Sequence, residues 1–158
     1  MISFDIDEYR YNLRAAAIIL DGDRVLLHKI EGDAFWCVPG GRVNAGELAS
    51  NTVVREMQEE LSEPVSCENL LWTVENFFSY RGQQHHEIGL YFLVRLASDS
   101  RLLTTVGPYV GNEGDLKLTF AWFSRAELAD LDIRPSFLAQ ALAAPALLMQ
   151  HVVHREHA

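Results

Sequence analysis

The chain has 158 residues, 49% hydrophobic and 22% charged, which is ordinary for a soluble globular protein and enough for one domain, residues 1–158, with a sizeable core. Its formal net charge is −9, so it lacks the basic surface a polynucleotide needs, although one anionic nucleotide can bind if divalent cations supply positive charge locally. No apolar run approaches the roughly 20 residues that span a bilayer, no signal peptide is visible, and Cys37 and Cys67 lack zinc-type or paired spacing; a reduced, cytoplasmic protein with no membrane partner is expected.

Met1–Asn12 mixes acids with Phe4, Tyr9 and Tyr11, and its packing partner is not legible. Leu13–Leu20 and Arg24–Ile30 are apolar and β-compatible, and Asp21-Gly22-Asp23 between them is a turn signal, so the two read as a hairpin. Glu31-Gly32-Asp33 is a second turn, and Phe35–Val38 is expected to be a short buried strand ending at Pro39. Gly40-Gly41 permits backbone conformations and a close approach that side chains would block. Residues 48–61 follow as a helix, closed by Pro64 through its restriction on the preceding residue.

Val65–Arg81 reads as a strand, turned by Gly82-Gln83-Gln84 into a second strand, His86–Leu96, to make a longer hairpin. His85 and His86 cannot both face one metal in a strand, because neighbours alternate sides. Ala97–Lys117 is polar and Gly-rich with little periodicity, and is expected to be a long loop. Leu118–Ser124 is a last sheet strand. Ser124 with Glu127 forms a capping box for a short helix through Leu131. A further helix over Arg134–Leu142 follows Pro135, and Gln150–Arg155 is either a terminal strand or a frayed tail.

The chemistry sits between Pro39 and Glu63. At roughly 100° per residue, Glu59 and Glu60 flank Glu56 on one arc of the helix, and Val53, Val54, Met57 and Leu61 fill the neighbouring arc. Like charges at i,i+4 cost an isolated helix about 0.2–0.5 kcal/mol per pair, so a face that repels itself needs a cation. Oxygen-only ligands favour Mg²⁺ or Mn²⁺ over zinc. By helical angle Glu47 falls opposite the cluster and acts from the turn before the helix, near its positive N-terminal end. Arg55 lies beside Glu56 and can orient it or Glu47.

The pattern Gly41, five residues, Glu47, seven residues, then Arg55-Glu56-Met57-Gln58-Glu59-Glu60 resembles the Nudix box of the MutT-like Nudix hydrolases. The resemblance covers about 23 residues and implies an α/β/α sandwich with a mixed sheet. It also implies cleavage of a nucleoside diphosphate linked to another group. It makes Glu56, Glu59 and Glu60 metal ligands, adds the Gly40 carbonyl, and makes Glu47 and Gly41 supporting residues. Ser62 stands where the family has Gly, and Glu63 where it has an aliphatic residue. Neither missing residue is a ligand, so the departure concerns how the helix ends.

Cations bridging phosphate oxygens neutralise a pyrophosphate and ease attack by water, which then needs a base. A carboxylate of the long loop is the natural source, Glu113 first and Asp115 second, each competing with a plain surface role. Arg14 can reach a phosphate or cap the hairpin; Phe35 and Trp36 can stack on a base or simply fill core. Cys37 is expected to be buried and inert. Dinucleotides, nucleotide sugars and nucleoside triphosphates are all candidate substrates, and a homodimer is left open. Two alternatives stand beside hydrolysis: a nucleotide-binding sensor on the same fold, which would lose the ligands, and an isoprenoid diphosphate isomerase, which wants a catalytic Cys with a Glu and a metal-bound His.

Overall fold

The structure, a computed structural model, describes residues 1–156. Nine strands and three α-helices follow in the order β1 (Ser3–Ile6), β2 (Tyr9–Asp21), β3 (Arg24–Ile30), β4 (Gly40–Arg42), α1 (Ala49–Leu61), β5 (Val65–Tyr80), β6 (Gln83–Leu96), α2 (Arg101–Thr104), β7 (Tyr109–Glu113), β8 (Leu116–Ser124), α3 (Phe137–Ala143) and β9 (Gln150–Arg155). The strands order as β7-β8-β3-β2-β6-β5-β9, with β1 and β4 also paired to β2. β2–β6 and β5–β9 are parallel and the remaining pairs antiparallel, so the sheet is mixed.

β2 lies at the centre, and its alanines explain the layering. Ala15, Ala17 and Ile19 face α1 and pack with Val53, Met57 and Leu61. Ala16 and Ile18 face the other way, toward Trp72, Val74, Tyr91, Leu138 and Leu142. Small side chains bring both layers close to the strand, giving the α/β/α sandwich. Each buried Val, Met or Leu of α1 contributes about 1.5–3 kcal/mol.

The first hairpin is paired only at its turn, Leu20 with Val25 and Asp21 with Arg24. Beyond that point β3 pairs along its length with β8, whereas β2 takes β4 on the same side: Arg14 with Arg42, Ala15 with Gly41, Ala16 with Gly40. The strands splay, and the box enters at the opening. Phe35–Val38 is not a strand; only Trp36 and Cys37 form single bridges, to Ile133 and His28, because the splay gives this segment no continuous neighbour.

Other expectations shift in detail. The second hairpin turns on two residues, Arg81 (φ 49°) and Gly82 (φ 79°), the mirror-image turn that suits strand twist, and Gln83 and Gln84 already belong to β6. The expected long loop contains α2 and β7. The 124–131 helix is a 3₁₀ turn over Arg125–Asp130 with its capping box in place. β8 is not the last strand: Gln150–Arg155 pairs with β5. Met1–Asn12 supplies β1, which folds back on β2.

Candidate active site

α1 begins after a tight turn without a side-chain cap on Leu48 and ends at Ser62 in the left-handed conformation (φ 57°, ψ 33°). There the Ser62 and Glu63 amides donate to the carbonyls of Gln58 and Met57, closing the helix by the route a glycine ordinarily takes. Thr52, Val53, Met57, Glu60 and Leu61 are buried. Val54, expected inside, is 37% exposed, while Glu60, expected on the carboxylate arc, is 4% exposed. The buried stripe is rotated because the helix leans into the splay, toward β7.

The N-terminal half of α1 is a hydrogen-bonded hub. Arg55 donates from Nε to Glu47 at 2.8 Å and from Nη2 to Glu47 at 3.0 Å and to the Arg42 carbonyl at 3.2 Å. Its Nη1 reaches Glu56 at 2.7 Å and Glu59 at 3.3 Å. Glu47 also accepts from the Asn44 amide at 3.0 Å and from Thr52 Oγ1 at 2.9 Å. The Arg55 hydrogen bond, then the Asn44 amide, pulls the Glu47 carboxyl down to about 2, and the same carboxylates raise Arg55. Gly41 has no Cβ because the Glu56 carboxyl group occupies that space; a Cβ on Gly40 would meet the backbone of Ala15 and Ala16.

Further along the helix the pattern reverses. Both carboxyl oxygens of Glu60 are buried without a hydrogen-bond partner. Burial first, then the negative field of Glu56 and Glu113, pushes its pKa up to about 9. Glu56 is also raised, by burial, against the pull of Arg55. A divalent cation is the partner that removes both costs, so these residues fit one. Glu59 stands at the rim, its side chain 58% exposed and turned to Arg55. Among the described residues no three His, Cys, Asp or Glu side chains converge as a closed ligand set.

The remaining expected residues surround this point unevenly. Glu113 ends β7, exposed, and its charge is felt by Glu60. Gly111 brings β7 this close: a Cβ there would stand 2.6 Å from the Glu60 carbonyl and 2.8 Å from Phe120. Asp115 lies exposed in the β7–β8 turn. Arg14 is half-buried and donates from Nη2 to the Val38 carbonyl at 3.1 Å. Phe35 is half-buried beneath Arg134 (4.5 Å), with Tyr80 edge-on at 6.1 Å. Trp36 packs on Phe123 and under Lys29. The two histidines part as strand geometry requires: His85 stacks on Phe78, and His86 meets Tyr11 and Phe77.

Three features escaped the sequence reading. His28 is buried with an unpartnered Nδ1 and pushed down to about 3 by burial and Arg14. Glu63 is 4% exposed, accepts from Ser100 at 2.7 Å and pairs with Arg101 at 3.1 Å, tying the end of α1 to α2. Glu87 and Asn76 lie buried side by side on β6 and β5. The acidic residue in place of an aliphatic at 63 was a signal for the second; nothing local marks the others.

A family model described as NUDIX domain matches residues 10–143. The RNA pyrophosphohydrolase of Actinobacillus pleuropneumoniae serotype 3 (strain JL03) is 31% identical over 119 residues, covering 66% of this chain and 57% of the relative. The chain thus spans just over half the length of that curated relative. Among solved structures, an ADP-ribose pyrophosphatase from Streptococcus suis 89-1591 superposes with a TM-score of 0.61 at 17% identity, covering 90% of this chain and 98% of the other. A NUDIX hydrolase from Nitrosomonas europaea gives 0.64 at 15% identity, over 92% and 79%. At those identities the likeness concerns the fold.

Proposed function

This chain belongs to the Nudix family, and from that premise we propose that it is a Mg²⁺- or Mn²⁺-dependent pyrophosphohydrolase that cleaves the phosphoanhydride of a nucleoside diphosphate linked to a further group. The carrying observation is Glu60, buried with two orphaned oxygens beside Glu56. Glu56, Glu59 and Glu60, with the Gly40 carbonyl, would hold the cation. A bound cation supplies charge neutralisation at the phosphate oxygens, which makes phosphorus easier to attack.

The protein's own groups do the rest. Arg55 fixes the Glu47 and Glu56 carboxylates, so that Glu56 needs no reorganisation when substrate arrives. Arg14 keeps N–H donors beyond its bond to Val38 for a phosphate oxygen. Glu113 is the base that takes a proton from attacking water, and Phe35 the aromatic on which a base stacks. Trp36, held between Phe123 and Lys29, acts by shaping the wall. A single domain in the cytoplasm fits this reading; no described helix is long and apolar enough to cross a membrane.

The isomerase alternative is disfavoured, because burial pushes Cys37 up to about 11 and holds it as a thiol. The sensor alternative is disfavoured by the retained carboxylates. A Mg²⁺-supplemented panel of dinucleotides, nucleotide sugars and nucleoside triphosphates, run in ¹⁸O-water, tests the proposal. Label is expected on a phosphate-containing product; label only on a sugar carbon or hydroxyl, or no turnover of any compound, overturns it.

A further inference from the structure

α1 carries no basic residue in its last turn, and the cap amides of Ser62 and Glu63 are spent on Gln58 and Met57. The last carbonyl of the helix therefore takes its donor from elsewhere. Arg101, the first residue of α2 and 40 positions downstream, donates from Nη2 to the Leu61 carbonyl at 3.1 Å. The Nε of the same guanidinium lies 3.1 Å from Glu63 Oε1. Ser100 completes the contact. Its Oγ accepts from the Leu102 amide at 3.2 Å as the N-cap of α2, so its single proton goes to Glu63 Oε2, 2.7 Å away.

Glu63 makes this a clamp and not a surface pair. Its side chain is 5% exposed. A carboxylate out of water needs donors, whereas an apolar residue would fill the position by packing alone. Both of its oxygens are engaged by Ser100 and Arg101. An exposed ion pair contributes little, but a buried carboxylate stripped of its donors is costly, so the contact resists opening.

The far side of α2 holds β7. The Arg101 guanidinium lies 5.6 Å over the Tyr109 ring, and the Tyr109 hydroxyl donates to the Thr105 carbonyl at 2.6 Å. Trp122 on β8 donates from Nε1 to the Leu102 carbonyl at 2.8 Å, and Leu102 is fully buried in the core that α1 covers. Tyr109 opens β7, and strand alternation puts Gly111 and Glu113 on the same face as Tyr109. That face is turned to α1: a Cβ on Gly111 would stand 2.6 Å from the Glu60 carbonyl. Glu113 is two residues further along it, and its charge bears on the Glu60 carboxyl.

We propose that Glu63, Ser100 and Arg101 form a positioning clamp: by gripping the end of α1 and the start of β7 through α2, they set where Glu113 stands relative to Glu60. The inference rests on the hydrolase reading above, in which Glu113 takes the proton from water and Glu60 holds the cation, and it extends that reading to three residues outside the site. A shift of about 1 Å in a reacting group can cost on the order of 100-fold in rate, so the separation of β7 from α1 matters to the chemistry.

The test pairs kinetics with amide hydrogen exchange on the whole chain. The Arg101 side chain is 48% exposed, so it can be cut back without emptying the core. Arg101→Ala is expected to lower kcat about 10–100-fold with less than about a threefold change in KM, and Arg101→Lys, which keeps the charge and loses the fork, to recover only part of the loss. Starting from Glu113→Gln, the same Arg101→Ala change should lower kcat by less than about twofold, because the group it positions is already gone. Exchange at the β7 amides should quicken about tenfold or more in Arg101→Ala, with the β5–β6 hairpin unchanged.

Unchanged β7 exchange, equal quickening in the hairpin, or a loss that multiplies undiminished with Glu113→Gln overturns the clamp. A change in KM alone places Arg101 with the substrate and overturns it as well. If the parent turns over no compound, the hydrolase reading falls, and β7 exchange alone decides whether the clamp holds the strand. If Arg101→Ala does not fold, Ser100→Ala, which removes the other donor to Glu63, carries the same readouts.

Discussion

At the N-terminal end of α1 every charged group has its partner: Arg55 binds Glu47, Glu56, Glu59 and a backbone carbonyl, while Glu47 also holds Asn44 and Thr52. Four residues after Glu56, Glu60 is more deeply buried and has no partner on either oxygen. A satisfied buried network holds a shape, and an unsatisfied carboxylate holds a place for a ligand. On the proposed reading the helix carries its rigid frame and its binding end on the same face, a few residues apart, with Glu59 exposed between them.

The largest expected effect breaks the binding end. Glu60→Gln should lower turnover by more than the roughly 10–100-fold that losing an outer-shell partner costs, because Gln keeps the shape and loses the charge. Mg²⁺ should raise the parent's melting temperature and leave the variant's nearly unmoved. Glu59→Gln, at the rim, should cost less than Glu60→Gln. Near-parent turnover in Glu60→Gln with an intact Mg²⁺ shift would reduce the buried carboxylate to an unexplained packing defect.

Next in size is the frame. Arg55→Lys keeps the charge and loses the planar fork that spans Glu47, Glu56 and a carbonyl, so kcat should fall about 10–100-fold with a small change in KM. Denaturant melts should show a loss of about 1–3 kcal/mol. An Arg55→Lys variant that changes KM alone would place Arg55 with substrate rather than with the frame.

Glu47 sharpens the contrast through pH. Its folded value is pulled below the ordinary 4.5 to about 2, so its stabilising contribution is complete above about 4.5 and disappears as pH falls through about 2. The melting-temperature gap between the parent and Glu47→Gln should be constant near neutrality and close as pH drops over that window. A gap that widens in acid contradicts the hydrogen-bond origin of the shift.

The smallest effect lies at the helix end. Ser62 holds a positive φ that disfavours a Cβ, so Ser62→Gly should stabilise the fold by about 0.5–1 kcal/mol in denaturant melts and leave turnover unchanged. Lower stability would show that serine's side chain supports this end of α1 beyond its backbone.

Much of this is legible in the amino-acid sequence alone. Glycine pair, helix and carboxylate spacing are local, and local geometry fixes which residues share an arc; the α/β/α class followed from the box resemblance. The second hairpin and the Ser124–Glu127 capping box are also local features. By contrast β7 was invisible, since Tyr109, Gly111 and Glu113 sit in a Gly-rich stretch and become a strand only by pairing with β8. Gln150–Arg155 was undecided for the same reason: its partner, β5, lies 78 positions upstream.

The sequence by itself determined that a carboxylate-bearing helix follows a glycine pair, because both are set by residues within a few positions of one another. Which carboxylate is buried was settled only in three dimensions. The β2–β3 splay and the approach of Gly111 turned the helix so that Glu60 went inside and Val54 came out. The contact of Asn76 with His154 likewise joins residues 78 positions apart, and burial and register across a sheet are properties of the packed whole.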